Sequence, residues 1–181
     1  MRWIIILLIA VAVYQAFTPY VGSTGRIVTP TEISSLSADV QLVDSKDITR
    51  LLTKAKKPTV MMFYASWCNY CNALMPAIHS LWQEGVFKNT NLVFISIDTE
   101  LSPISSYLLR KDYLTMVGSS PHVLRQDTRP ALYAALAARG STYKGGIPYI
   151  GFFNKNGQIV LELLGLVTRD AIRDAVKELE Q

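Results

Sequence analysis

At 181 residues, the chain is long enough for one domain of ordinary size with a substantial core, and it leaves some N-terminal sequence over. Its net charge of +4 comes from basic residues scattered along the chain rather than clustered with interleaved aromatics, which argues against nucleic acid as a partner. No glycine-rich phosphate cradle occurs, so no nucleotide or flavin is implied.

The first segment differs in kind from the rest. After Met1 and Arg2, the run Trp3 to Phe17 carries Gln15 as its one strongly polar side chain, and no further basic residue follows until Arg26. This charge asymmetry predicts a targeting segment with its start in the cytoplasm and everything after it outside. Residues 1–21 approach the length that crosses a bilayer, which favours an uncleaved signal-anchor, with a removed signal peptide as the alternative. Residues 22–38, rich in Ser, Thr and Gly with little apolar periodicity, read as a linker to a domain over 39–181.

Within that domain the expected elements alternate. Val40 to Val43 is a short strand, and Asp44 or Ser45 caps a helix running to about Lys54. Thr59 to Ala65, apolar and bounded by Pro58, reads as a buried parallel strand. Asn69 to Glu84 places Leu74, Ile78, Leu81 and Trp82 on one helical face. Asn91 to Ile97 is a strand ending at Asp98. Residues 99–145 then interpose a helical insertion. Leu101 to Tyr113 and Pro130 to Arg139 look helical, with Gly140 as a C-terminal cap, whereas Thr115 to Thr128 is polar and irregular around Pro121 and His122. The insertion either pads one flank of the sheet or forms a surface that selects partners. Tyr149 to Phe153 and Gln158 to Leu164 form an antiparallel hairpin across Asn154-Lys155-Asn156-Gly157, and a last helix follows a Thr168 cap through Ile172, Val176 and Leu179. The fold class expected is α/β, a mixed sheet with helices on both faces and the insertion before its last two strands.

Cys68 and Cys71 are the two cysteines of the chain, within Trp67-Cys68-Asn69-Tyr70-Cys71, where a strand gives way to a helix. A cysteine just before a helix N-terminus meets unpaired N–H groups and the positive end of the helix dipole, which favour thiolate. The second cysteine lies one turn in, close enough to attack the first. A bridge this short constrains the unfolded chain little and makes a poor structural staple, so redox use is the leading reading and an inert bridge the alternative. A zinc site would need two further ligands. His79, two helical turns past Cys71, is too distant to supply one, and no metal is expected.

These parts together resemble the thioredoxin fold. A strand leads into Trp-Cys-x-x-Cys, Pro76 follows in the helix, Ile147-Pro148 precedes the hairpin, Asn156-Gly157 turns it and Gly165 ends it. With the N-terminal segment the chain is similar to the membrane-tethered, envelope-facing TlpA-like branch.

The resemblance implies that Cys68 is an exposed nucleophile, Cys71 the buried resolving thiol and Pro148 a cis-proline facing them. It further implies that Ile147 and Trp67 contact an extended substrate, and that Asn69 and Tyr70 form the intervening dipeptide that tunes the potential. Neither supplies positive charge, so an intermediate potential is expected. The activity implied is reduction or isomerisation of protein disulfides without a further cofactor. Net oxidation, or a redox-latched peptide-binding module, are the alternatives. Partners would be protein or peptide thiols and disulfides, plus a membrane electron-transfer protein. The site would lie on the periplasmic side of the inner membrane, or in a soluble periplasmic or secreted protein after signal cleavage. Two positions depart from the family: Met62 stands where a buried acid is usual, and Phe94 where its companion lysine is usual.

Overall fold

The computed structural model describes residues 28–118 and 120–181, so the N-terminal hydrophobic segment expected to target or anchor the chain lies outside the described residues. No helix among the described residues is long and apolar enough to cross a membrane.

The elements run α1 (Pro30–Asp39), β1 (Gln41–Val43), α2 (Ser45–Thr53), β2 (Thr59–Tyr64), α3 (Asn69–Gln83), β3 (Asn91–Ser96), α4 (Leu101–Arg110), α5 (Leu114–Val117) and β4 (His122–Leu124). A 3-10 turn (Gln126–Thr128), α6 (Arg129–Ala137), β5 (Tyr149–Phe153), β6 (Ile159–Leu164) and α7 (Arg169–Leu179) complete the chain. Six strands form one sheet in the order β1-β4-β3-β2-β5-β6. β1, β4, β3 and β2 run parallel, β5 runs antiparallel to β2, and β6 runs antiparallel to β5.

Every residue of β2 and of β5 is buried, as strands covered on both faces require. Their side chains divide by the two-residue alternation of a strand. Phe63 of β2 stacks on Tyr143 at 4.7 Å between ring centroids, and Tyr133 of α6 meets Tyr143 edge-on, which places α6 over that face. Tyr64 turns the other way, toward Phe94 and Tyr107 of α4. Helix α3 lies on this second face, where its His79 packs edge-on against Tyr113, which in turn packs against Tyr107. α2 packs with α6, and α3 packs with α7.

Two expectations are corrected. The stretch 22–38 is not linker throughout: Thr29 and Glu32 form a reciprocal capping box, α1 begins at Pro30, Leu36 is buried, and the helix packs on α4. Its apolar stripe is narrow, which is why periodicity missed it. The second correction falls in the insertion, where the polar, irregular stretch contains a strand. His122, Val123 and Leu124 pair with Gln41, Leu42 and Val43 on one side and with Ile95 and Ser96 on the other, so β4 lies inside the sheet and not on its flank. The first helix of the insertion also stops at Arg110, and Asp112 with φ 55° turns the chain before Tyr113. Below β4 the first half of β3 has no strand beside it on that side among the described residues. A cavity of about 1210 Å³ opens there, among Leu42, Arg50, Lys54, Trp82, Leu92 and His122, at the opposite end of the strands from the cysteines.

Candidate active site

β2 ends at Tyr64, and the chain turns through Ala65-Ser66-Trp67 into α3, whose N-cap is Cys68 itself. The Sγ of Cys68 accepts the backbone N–H of Cys71 at 3.1 Å, the role that a serine or aspartate oxygen plays at an ordinary N-cap. Cys68 and Cys71 are joined as a disulfide with 5.2 Å between their Cα atoms. Charge developing on Cys68 therefore already has a donor and the helix N-terminus to face. Cys71 is fully buried. Cys68 retains 6% of its surface, so the exposed nucleophile expected from the resemblance is here an almost covered residue. The neighbours are what solvent meets, with Trp67 63% and Tyr70 64% exposed and Asn69 also exposed. Two exposed aromatic side chains thus flank Cys68 in the chain.

The second part of the site comes from the chain entering β5. The Ile147-Pro148 peptide is cis, Pro148 is buried and Ile147 is partly buried. Phe63 is registered against Tyr149 in the antiparallel β2–β5 pair. The loop ending at Pro148 therefore lies beside the end of β2 that leads into Cys68. The Pro148 carbonyl accepts the N–H of Gly165, which ties the loop to the end of β6.

Two carboxylates hold these loops, and neither was singled out from the sequence. Asp98, 2% exposed and just past the end of β3, accepts the Ser66 backbone N–H at 3.0 Å, the Ser66 hydroxyl at 2.5 Å and the Ser96 hydroxyl at 2.5 Å. The Ser66 carbonyl in turn accepts from Asn72 Nδ2 in the first turn of α3. Gln126, from the insertion, donates to the carbonyls of Ile97, Asp98 and Leu124 and so braces the same turn.

Glu162, on β6, accepts from the Ser141 hydroxyl, the Thr142 N–H and hydroxyl, and the Tyr149 hydroxyl. Burial pushes its carboxyl upward, but the hydrogen bonds from Ser141, Thr142 and Tyr149 outweigh burial and hold it below the usual glutamate range. Burial pushes the Tyr149 phenol well up, so it remains a donor.

The two departures noted in the sequence meet in space: Met62 is registered directly against Phe94, and each is 1% exposed. No acid lies at that position beneath the cysteine helix. One pleat further along, the Tyr64 hydroxyl is buried without a hydrogen-bond partner, as is Asn72 Oδ1. Burial raises the Tyr64 phenol well above its ordinary value, and the nearby Tyr107 and Asp98 add to the shift. A strand ending Ser-x-Asp is a weak pattern by itself. What could have drawn attention to Asp98 is a lone acidic residue closing an apolar strand next to the one that carries the cysteines.

Comparison with known proteins agrees with this geometry. A thiol:disulfide interchange protein of the thioredoxin family from Chlorobium tepidum superposes with a TM-score of 0.53 at 19% identity, over 74% of this chain and 85% of that one. A thioredoxin-like protein of Haemophilus influenzae is 29% identical over 89 residues, 49% of this chain and 50% of its own length. Protein disulfide-isomerase A5 of Bos taurus is 51% identical over 37 residues, which make up 20% of this chain and 7% of that protein. The chain thus matches half or less of the length of these curated relatives. Residues 45–180 match the thioredoxin-like domain, and the chain belongs to that family.

Proposed function

We propose that the protein is a thiol-disulfide oxidoreductase that reduces or isomerises protein disulfides outside the cytoplasm. The observation that carries this reading is Cys68 at the helix N-cap, its sulfur accepting the Cys71 N–H while bonded to the Cys71 sulfur. In the reduced protein the Cys68 thiolate attacks one sulfur of a substrate disulfide. The substrate S–S bond breaks, a mixed disulfide forms, and one substrate thiolate leaves and takes up a proton. Cys71 then gives up its proton and attacks the Cys68 sulfur. The second substrate thiol is released, and two electrons have passed from the pair to the substrate. Trp67 and Tyr70 provide the apolar contact for docking, and Ile147 offers its backbone to an extended segment beside Pro148.

The extracytoplasmic placement rests on the apolar run Trp3 to Phe17 and on a compartment in which a disulfide persists. A membrane electron donor would keep the pair reduced there, because the potential expected for Asn69-Tyr70 is intermediate. The test is reduction of insulin by the dithiothreitol-reduced protein, together with trapping on Cys71→Ser in cells. Accelerated reduction and covalent adducts on Cys68 that dithiothreitol releases are expected. A protein that neither reduces insulin nor accumulates adducts would overturn the reading.

A further inference from the structure

The residue at the family's usual acid position, Met62, cannot act on the cysteines through charge. The structure nevertheless encloses a carboxylate against the loop that leads into them. Asp98 is 2% exposed, and no cation among the described residues pairs with it. Its acceptors are occupied by Ser66 and Ser96, and Ser66 stands two residues before Cys68 on the loop that delivers the nucleophile. Through the Ser66 carbonyl and Asn72, the same network reaches the residue after Cys71. The surroundings are buried, with the Tyr64 hydroxyl and Asn72 Oδ1 both enclosed there without a hydrogen-bond partner. A charge in such a setting is felt over several ångströms, more strongly than one at the surface.

We propose that Asp98 is a positioning residue that also sets the redox poise of the pair: it fixes the Ser66 to Cys68 loop, and its enclosed negative charge disfavours the thiolate form and so stabilises the disulfide. The proposal rests on the oxidoreductase reading above. Two opposing influences then act on the Cys68 sulfur. The helix N-terminus and the Cys71 N–H favour negative charge there, and Asp98 opposes it. A dithiol whose reduced form is disfavoured is a better reductant, which is the direction proposed for this protein.

The test is equilibrium of the purified described domain's parent, the full chain, with glutathione. In that exchange the Sγ–Sγ bond of the pair breaks and two glutathione thiols leave joined as glutathione disulfide. Their two electrons and two protons pass to Cys68 and Cys71, any proton not retained going to solvent. Asp98→Asn keeps the shape and removes the charge: its amide oxygen can take the Oδ2 place and still accept the Ser66 N–H, and its nitrogen the Oδ1 place, where the Ser66 hydroxyl can turn to accept from it. It is expected to shift the equilibrium about tenfold toward the dithiol, which is ~30 mV less reducing for a two-electron couple. Asp98→Glu keeps the charge and is expected to stay within about twofold of the wild type. An Asp98→Asn equilibrium within twofold of wild type overturns the proposal, as does an Asp98→Glu shift as large as that of Asp98→Asn.

If Asp98→Asn does not fold, the coupling is read in the wild-type protein by redox difference infrared spectroscopy, because coupling between two sites is reciprocal. Carboxylate bands that change between the oxidised and reduced forms support the proposal, and a difference spectrum without them overturns it. Insulin reduction by the wild type is run alongside. Its absence is a failure of the oxidoreductase reading, whereas normal reduction with an unmoved potential in Asp98→Asn is a failure of this proposal alone.

Discussion

The loop that carries Cys68 and the loop that ends at Pro148 flank the same end of β2, and each is anchored by one carboxylate, yet the two anchors differ in their surroundings. Asp98 is enclosed at the tip of β3, where its partners belong to the cysteine loop itself. Glu162 is partly exposed on β6, the last strand of the sheet, and its partners Ser141 and Thr142 precede Pro148 by several residues on the Phe63 face, away from α3. A charge sealed against the loop that carries a sulfur is placed to bear on the chemistry of that sulfur. A charge on an edge strand, with water in reach, bears on whether its loop stays in place.

The comparison breaks first at the cysteines. Cys68→Ser is expected to reduce insulin reduction by at least about a thousandfold, since no other thiol can replace the attacking one. Cys71→Ser should retain the first attack and stall as the mixed disulfide, and single-turnover kinetics with quenched adducts would show it.

Next comes the anchor of the other loop. Glu162→Ala removes the acceptor of the Thr142 N–H and hydroxyl and leaves one of the Tyr149 and Ser141 hydroxyls, which can donate to each other, without an acceptor; it is expected to cost about 2 kcal/mol of stability, read by urea unfolding, with the redox potential unchanged. A shifted potential in this variant would erase the contrast drawn here. Because the folded-state carboxyl of Glu162 lies below its unfolded value, the stability it adds is present above an unfolded pKa of ~4.3 and is lost as pH falls through the folded value. Glu162→Gln should therefore flatten the acid limb of the stability curve below about pH 5.

Docking should separate from chemistry at Trp67. Trp67→Ala is expected to raise KM for a protein disulfide about tenfold while leaving reduction of a small aromatic disulfide within about twofold, if the exposed ring serves docking as proposed and takes no part in the exchange. The smallest effect belongs to a carboxylate outside both loops. Glu84, at the end of α3, pairs with Arg169 and Arg173 of α7 in solvent, so Glu84→Gln should lower the thermal midpoint less than any change at Glu162.

How legible these regions were in the sequence follows from how local their signals are. The seam from β2 to α3 announces itself by a buried apolar run, a helical stripe and a cysteine pair within 25 residues, and its ends fell within a residue of those expected. The hairpin and α7 were equally local, through Asn156-Gly157 and the Thr168 cap. β4 was not, because three residues starting with a histidine become a strand only when distant partners close on both sides. The capping box at Thr29 and Glu32 was visible in the sequence, but α1 has only Leu36 fully buried, and the serines that dilute its stripe read as linker. At the site, sequence located the sulfurs and the proline. It did not reveal that Cys68 would be almost covered, since coverage comes from how the loop is folded back, nor that Asp98 and Glu162 would hold the loops, since hydrogen bonds across 20 or more residues leave no local pattern.

The placement of β4 has a consequence for the order in which the molecule is assembled. Among the described residues β1 has no strand beside it except β4, whose residues come some eighty positions later in the chain. During synthesis from the ribosome the first strand and its helix must therefore wait, unpaired, until the middle of the chain has emerged, while β2 and β3 are already free to join. Such a distant closure slows folding and prolongs exposure of unfinished edges, so delays in translation between β3 and β4 should matter more for the yield of soluble protein than equal delays after β5.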